Sequence, residues 1–378
     1  MNFKSIALAA AAAAAATSAS AADLPVVAEP VDYVQVCDAY GAGYFMLPGS
    51  DTCVRVGGRI RAQIVSGNLD NDSEYSDHDS LARGYVRLYS ATQSEIGLIR
   101  TFTEIRGDFD EQANDSATIG DAYIQFSNNT GALTIGRTTS AFDAFTGYTV
   151  VGVVDQALSD NDTLQISYNR SFGNGVTATL SVEDSDYRDG ANNSANVIAA
   201  VGIEQGWGSF RLAGALHNTA DIAGEKADND YGYAIQGTVI ANLDAIASGT
   251  EFAFQAAYVD SAVSYVGVTG EEYAGTDYDA DMLDTYGANG FAVAAGIEHS
   301  LTETVTLALD ASYLSLETEE HVDLELDRTA IDASVAWSPV SGLVLGVDAG
   351  WANTDLEVSG ADSDADDIRV GTRVQYTF

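Results

Sequence analysis

The sequence is poor in basic residues, cysteine and histidine, and each scarcity excludes a class of protein. Only 16 Lys and Arg residues stand against 56 Asp and Glu residues, which gives a formal net charge of −40 at pH 7. Binding of nucleic acid needs a cationic surface that releases counterions from phosphates, so this charge argues against it. No histidine lies within ligand spacing of the two cysteines, and we expect no bound metal or cofactor.

Motifs of catalysis are absent as well. The sequence has no G-x-S-x-G motif, no phosphate-binding P-loop and no paired histidines at helical spacing. The four histidines are scattered among predicted loops and strand ends. We therefore expect that the protein is not an enzyme.

Long apolar runs are missing beyond the N-terminus, where a helix would need about 20 apolar residues to cross a bilayer. Residues 1–22 have an early Lys4, an Ala-rich apolar run and then small residues, which is the layout of a cleaved signal peptide. The alternative, a transmembrane helix, would need a longer and more apolar run. We expect residues 23–52 to form a periplasmic segment.

Nearly every later segment alternates between apolar and polar residues. In residues 368–378, for example, Val370, Val374 and Tyr376 share one face, and Arg369 and Arg373 share the other. Such alternation is typical of β-strands with one apolar face. About sixteen such segments fall in residues 53–378, an even number that suits a closed antiparallel transmembrane β-barrel.

Alternation alone also fits a soluble β-sandwich or a β-helix. Three features favour the membrane barrel: strands of about 8–12 residues, aromatic residues at strand ends, and tight turns that alternate with long acidic loops. The aromatic strand ends are Tyr258, Tyr313, Trp337, Trp351 and Tyr376, and the long loops are predicted at residues 68–80, 184–195, 262–290 and 355–367.

Arginines cluster in the first five predicted strands. A charge on the lipid face costs about 2–4 kcal/mol at mid-bilayer, so these side chains are expected to line the lumen. They form either a polar lining that only solvates the interior or, as we favour, a basic ladder on one wall of a constriction. The candidate pore residues on these strands are Arg59, Arg61, Arg83, Arg87, Arg100, Glu104, Arg106 and Arg137.

Residues 138–159 alternate more weakly than their neighbours and form a long connection. If this segment folds into the barrel, Asp143 and Asp155 oppose the arginines and set up a transverse field. The alternative is an ordinary external loop.

Two further features concern cross-linking and calcium. In an exported chain, Cys37 and Cys53 favour a disulfide over two free thiols. The aspartate-rich stretches at residues 277–281 and 362–367 lack the glycine and the distal glutamate of an EF-hand loop. Solvated surface loops are therefore favoured over specific calcium sites.

Several motifs resemble the general porins of alphaproteobacteria. The longest is VCDAYGAGYFMLPGSDTCVRVGGRIRAQ at residues 36–63, and GDAYIQF, LTIGRTTSAFD, LQISYNRSFGNGVTATLSVED and the terminal RVGTRVQYTF also fit. The resemblance covers the whole chain after residue 22, although more weakly from residue 221 to 327.

The resemblance implies a sixteen-stranded homotrimeric porin of a Gram-negative outer membrane, in contact with lipopolysaccharide, whose third external loop enters the barrel. It implies passive diffusion of small hydrophilic solutes and ions. The cysteine spacing also matches the family. Tyr376 and Phe378 match the terminal aromatic signal that the outer-membrane insertion machinery recognises.

The charge excess favours modest cation selectivity. Two other functions stay open. A solute-specific channel would have an aromatic slide, for which Tyr85 and Tyr89 give a hint, and an adhesin would need larger external modules.

Deleting Phe378 should lower the amount of protein inserted in the outer membrane of cells, because the insertion machinery loses its terminal aromatic residue. Refolding in detergent, which does not use that machinery, should be unchanged. Surface abundance measured beside the intact chain tests this, and equal abundance would contradict it.

Overall fold

A computed structural model describes residues 35–71, 77–110, 116–221, 230–269, 279–318 and 322–378. The predicted signal peptide, residues 1–22, lies outside these ranges. In the described part of the chain, no helix has the length and hydropathy that crossing a membrane requires.

Sixteen long strands form one closed antiparallel barrel among the described residues, and a short strand that precedes them pairs with the first. Each barrel strand pairs with its neighbours in sequence, and the last pairs with the first. Closure satisfies the backbone of every strand without an open edge, as a bilayer requires. The predicted sixteen-stranded barrel is confirmed. The strands are β1 Phe45–Met46, β2 Cys53–Ser66, β3 His78–Ser94, β4 Gly97–Asp110, β5 Ser116–Asn128, β6 Gly131–Thr139, β7 Asp162–Gly173, β8 Val176–Asp184, β9 Ala195–Gln205, β10 Gly208–Asn218, β11 Tyr231–Asn242, β12 Thr250–Asp260, β13 Asn289–Ser300, β14 Val305–Thr318, β15 Leu324–Val340, β16 Leu343–Val358 and β17 Ala361–Thr377.

Connections differ between the two ends of the barrel. At one end several hairpins close through two residues, as at residues 95–96 and 206–207. The other end, which we call the long-loop end, carries the longer connections. Counted at this end alone, the third connection is residues 140–161 and the sixth is residues 261–288, and we call them the third loop and the sixth loop. The sixth loop contains a 3-10 turn, Val263–Val266, and helix α1, Ala280–Thr285, whose N-cap is Asp279.

The predicted acidic loop at residues 355–367 is wrong. Strand β16 continues to Val358 and β17 begins at Ala361, so only two residues form the turn, and Asp355 pairs directly with Asp364. Where a strand extends beyond the bilayer, both of its faces meet water. The residues there are polar on both faces, and the period-2 pattern that reveals a strand disappears.

The outer face of the barrel is apolar and exposed. On β2, Val56, Ile60 and Ile64 are each more than half exposed, as side chains facing lipid should be. The residues between them, Arg59 and Arg61, point to the other face because side chains alternate along a strand.

The predicted disulfide is confirmed. Cys37 and Cys53 are bonded, with their Cα atoms 6.1 Å apart. Both are buried in a small cluster with Tyr44 and Ala91. The bond fixes the segment that precedes the barrel to the first residue of β2.

Candidate functional site

Arginines crowd one side of the barrel's inner face. The register places Arg61 opposite Arg83 across β2 and β3. Like charges directly opposite each other are destabilising, so this surface needs compensation. We call it the arginine wall, and its members are Arg55, Arg59, Arg61, Arg83, Arg87 and Arg373.

Two arginines of the wall are paired with carboxylates on β4. Arg83 donates through Nε and Nη2 to Asp108, at 2.5 and 2.8 Å. Arg87 Nε donates to Glu104 Oε2 at 2.6 Å, and Glu104 is buried. The charges of Arg83 and Arg87 are therefore balanced inside the wall.

Arg59 and Arg61 have no carboxylate at ion-pair distance within the described chain, and the Nε atoms of both are buried without a hydrogen-bond partner there. The Arg59 guanidinium lies 3.9 Å from the centroid of the Tyr85 ring, and Arg55 lies 3.9 Å from that of Tyr89. Stacking of this kind stabilises the arginines and covers the aromatic faces. The wall thus presents guanidinium charge rather than an aromatic slide.

The third loop lies against the opposite inner wall, where β14, β15 and β16 each contribute one buried aspartate: Asp310, Asp332 and Asp348. We call these three the carboxylate row. They accept five backbone hydrogen bonds from the loop: Tyr148 and Thr149 donate to Asp310 at 2.7 and 2.8 Å, Val151 and Gly152 to Asp348 at 2.6 and 3.0 Å, and Val153 to Asp332 at 2.8 Å.

Hydrogen bonds to a charged acceptor contribute about 1.5–3 kcal/mol each, so the row holds the loop firmly. The start of the loop is held in the same way. Ser140 Oγ and the backbone N–H of Ala141 donate to Glu183 on β8, at 2.7 and 2.8 Å. The predicted in-folded loop therefore has direct contacts with the inner wall at its start and along its middle.

Asp143 takes part in a buried ion pair. Its Oδ1 accepts from Arg188 Nη2 at 2.8 Å, and its Oδ2 accepts from the backbone N–H of Asn161 at 2.7 Å. Burial disfavours the charged form of Arg188, but Asp143, Tyr265 and Glu183 together outweigh burial and raise the pKa of Arg188. This corrects the expectation that Asp143 opposes the arginines across the lumen, because its carboxylate is fully used by Arg188 and the loop backbone.

Asp155 is exposed, and it lines a cavity of about 520 Å³ together with Arg61 and Arg373. Arg373 also donates from Nη2 to Gln63 Oε1 at 2.7 Å and to the Val151 carbonyl at 3.0 Å. The cavity is therefore bounded by the arginine wall on one side and the third loop on the other, and the role of Asp155 in the pore stays a prediction.

Among the other predicted pore residues, Arg100 and Arg106 lie on the inner face of β4, where Arg106 Nε donates to Thr118 Oγ1 at 3.0 Å. Arg137 does not face the lumen. It pairs in register with Leu164, whose side chain is exposed on the outer face, and it lies 5.6 Å from the Tyr187 ring. Arg137 lies two residues after Ile135, whose side chain is exposed on the outer face, so strand alternation predicts the same face for Arg137.

Several functional residues were missed or misread. Arg188 and Arg373 were not singled out, and the anchoring role of the carboxylate row was missed. The visible signal was an aspartate on the polar face of each of three successive strands. No cluster of His, Cys, Asp and Glu that could hold a metal ion occurs in the described ranges.

Comparison with known proteins gives a consistent result. The family model for the porin subfamily matches residues 23–377. The chain is 30% identical to porin Omp2b of Brucella neotomae, covering 94% of this chain and 96% of that protein. The outer-membrane channel DcaP of Acinetobacter baumannii has a similar fold, with a TM-score of 0.67, 16% identity, and coverage of 88% of this chain and 99% of that one. The trimer form of OmpT from Vibrio cholerae has a TM-score of 0.57 at 10% identity, over 87% of this chain and 100% of that one.

Replacing Asp348 with Ala should release part of the third loop, because the backbone N–H groups of Val151 and Gly152 lose their acceptor. An unpaired buried donor costs about 1–3 kcal/mol. In planar bilayers we expect a higher mean conductance and a noisier open state. Ser334→Ala is the matched control, since Ser334 is opposite Asp348 and its hydroxyl has no partner in the described chain. Conductance of Asp348→Ala equal to that of the control would contradict the anchoring role.

Proposed function

The chain belongs to the porin subfamily, and we propose on that premise that it lets small hydrophilic solutes and ions diffuse passively through the bacterial outer membrane. One observation carries the proposal: the third loop is held across the interior by the carboxylate row, and a cavity is left between it and the arginine wall. A narrowed, water-accessible passage inside a closed barrel is what diffusion limited by solute size requires.

We further propose roles and locations for the segments outside the barrel lumen. Residues 1–22 direct export, and residues 23–52 lie in the periplasm. The outer-membrane insertion machinery recognises Tyr376 and Phe378. The apolar band on the outer face of the barrel contacts membrane lipid, including lipopolysaccharide. Two observations support the position of the terminal residues: Tyr376 is about half exposed on the outer face, and the backbone of Phe378 is hydrogen-bonded to that of Gly58.

Assembly as a homotrimer is the next element of the proposal. Small and hydroxyl side chains interrupt the apolar band on the outer face of β2–β5, whereas bulky aromatic residues occupy that band on β12–β16. The hydroxyls of Ser90 and Thr101 satisfy each other at 2.7 Å. Small, internally satisfied residues allow close protein packing, so the face of β2–β5 suits contact with another copy. The small and hydroxyl residues are Ala62, Gly84, Ser90, Thr101 and Thr103.

We propose modest cation selectivity for the pore. Arg83, Arg87 and Arg188 are each neutralised by a carboxylate partner, which limits the positive charge available to solutes. The remaining unpaired guanidiniums compete with a chain charge of −40. Acidic residues at the long-loop end raise the local cation concentration within a Debye length of about 8 Å.

Replacing Arg59 and Arg61 with Gln should increase cation selectivity, because both guanidiniums lack a carboxylate partner in the described chain and face the lumen. The reversal potential under a salt gradient measures this, and high salt should weaken the preference through screening.

Arg170→Gln is the matched control. It removes the same charge from the outer face, where Arg170 packs against Phe172. We expect its reversal potential to equal that of the unsubstituted protein. Anion preference of the unsubstituted pore at both low and high salt would contradict the proposed selectivity.

A further inference from the structure

The inner wall near the long-loop end is apolar over several strands, although a water-filled lumen needs a polar lining. Leu314 and Leu316 on β14 and Leu324 and Leu326 on β15 are inward-facing and at most 1% exposed. Something other than water must therefore cover this wall.

The sixth loop covers it. Val263, Val266 and Leu283 from this loop are also at most 1% exposed, and they belong to the same packed cluster as the inward leucines. The described parts of the loop, residues 261–269 and 279–288, thus lie on the inner surface of the barrel. Burial of these apolar side chains against the wall holds the loop inside.

Polar contacts join the two described parts of the loop to each other and to the rest of the barrel. Asp284 Oδ1 accepts from the backbone N–H of Val263 at 2.8 Å, and its Oδ2 lies 3.3 Å from His217 Nε2 on β10. Thr285 Oγ1 donates to the Ala220 carbonyl at 3.0 Å. His217 and Asp284 are both buried and lie in contact, which places the loop directly beside β10.

The sixth loop also packs directly against the third loop. The Tyr265 ring meets the Phe142 ring edge-on at 4.7 Å. Gly267 has a positive φ, and a Cβ there would lie 2.8 Å from the carbonyl oxygen of Leu158. Only a glycine allows the two loop backbones to come this close.

Beyond Gly267 the loop reaches the passage. Gly267 and the exposed Thr269 line the same cavity as Arg61 and Asp155. We propose that the sixth loop is a second constriction element: its described parts, residues 261–269 and 279–288, occupy the lumen beside β9–β15, direct solutes along the arginine wall, and set the size limit jointly with the third loop. The inference rests on the proposed porin function.

Cysteine accessibility tests the proposal. Both native cysteines are in the disulfide, so Thr269→Cys introduces a single free thiol. Reaction with N-ethylmaleimide during recording in planar bilayers should cause a stepwise loss of conductance, because the adduct occupies the passage. The control is Asn192→Cys, an exposed position on the connection between β8 and β9 (residues 185–194, the fourth connection at the end that carries the third and sixth loops). It does not line this cavity and should conduct unchanged after labelling.

Complete labelling of Thr269→Cys, shown by mass spectrometry, with unchanged conductance would overturn the proposal. Absence of conductance in the unsubstituted protein would instead refute the porin function itself. Asp284→Ala provides a second test. It removes the acceptor of the Val263 N–H, so the loosened loop should admit larger sugars in a liposome swelling assay, while Asp186→Ala, an exposed control on the fourth connection, should not. If Asp284→Ala does not fold, the Thr269→Cys experiment still decides.

Discussion

The arrangement of the pore depends on one constraint, which is that a loop placed inside a closed barrel must find acceptors for its backbone N–H groups. A buried backbone N–H group without an acceptor costs free energy comparable to a lost hydrogen bond. Here Asp310, Asp332 and Asp348 supply the acceptors from three adjacent strands. The aspartates are thereby removed from the open lumen surface. The same bonds that hold the third loop therefore decide which charges a passing solute meets.

Charge inside the barrel is divided between paired and unpaired groups. Asp108, Glu104 and Asp143 each neutralise an arginine, whereas Arg59 and Arg61 have no carboxylate partner in the described chain. Since the opposite side is occupied by the third and sixth loops, the unpaired guanidiniums border the remaining space. Position and pairing, rather than the number of charged residues, determine the field that a solute experiences.

Sequence periodicity could predict the barrel, its strand number and most inward side chains, because alternation is a local property. It failed at residues 355–367, where both faces of the hairpin meet water. Strand alternation from Ile135 would have placed Arg137 on the outer face, but it was predicted to line the pore. The partner of Asp143 lies 45 residues away, and the Asp348 contacts span almost 200 residues. Such contacts follow from barrel register and loop path, which no local pattern contains. The apolar inner wall under the sixth loop likewise looked like ordinary strand alternation.

Hydrogen exchange of the third loop tests the central claim most directly. If the carboxylate row anchors the loop, the amides of Tyr148, Thr149, Val151, Gly152 and Val153 should exchange as slowly as strand amides in detergent-solubilised protein. Exchange of these amides at the fast rate of exposed residues such as Asn192 in the fourth connection would show that the loop is not held, and would contradict the account.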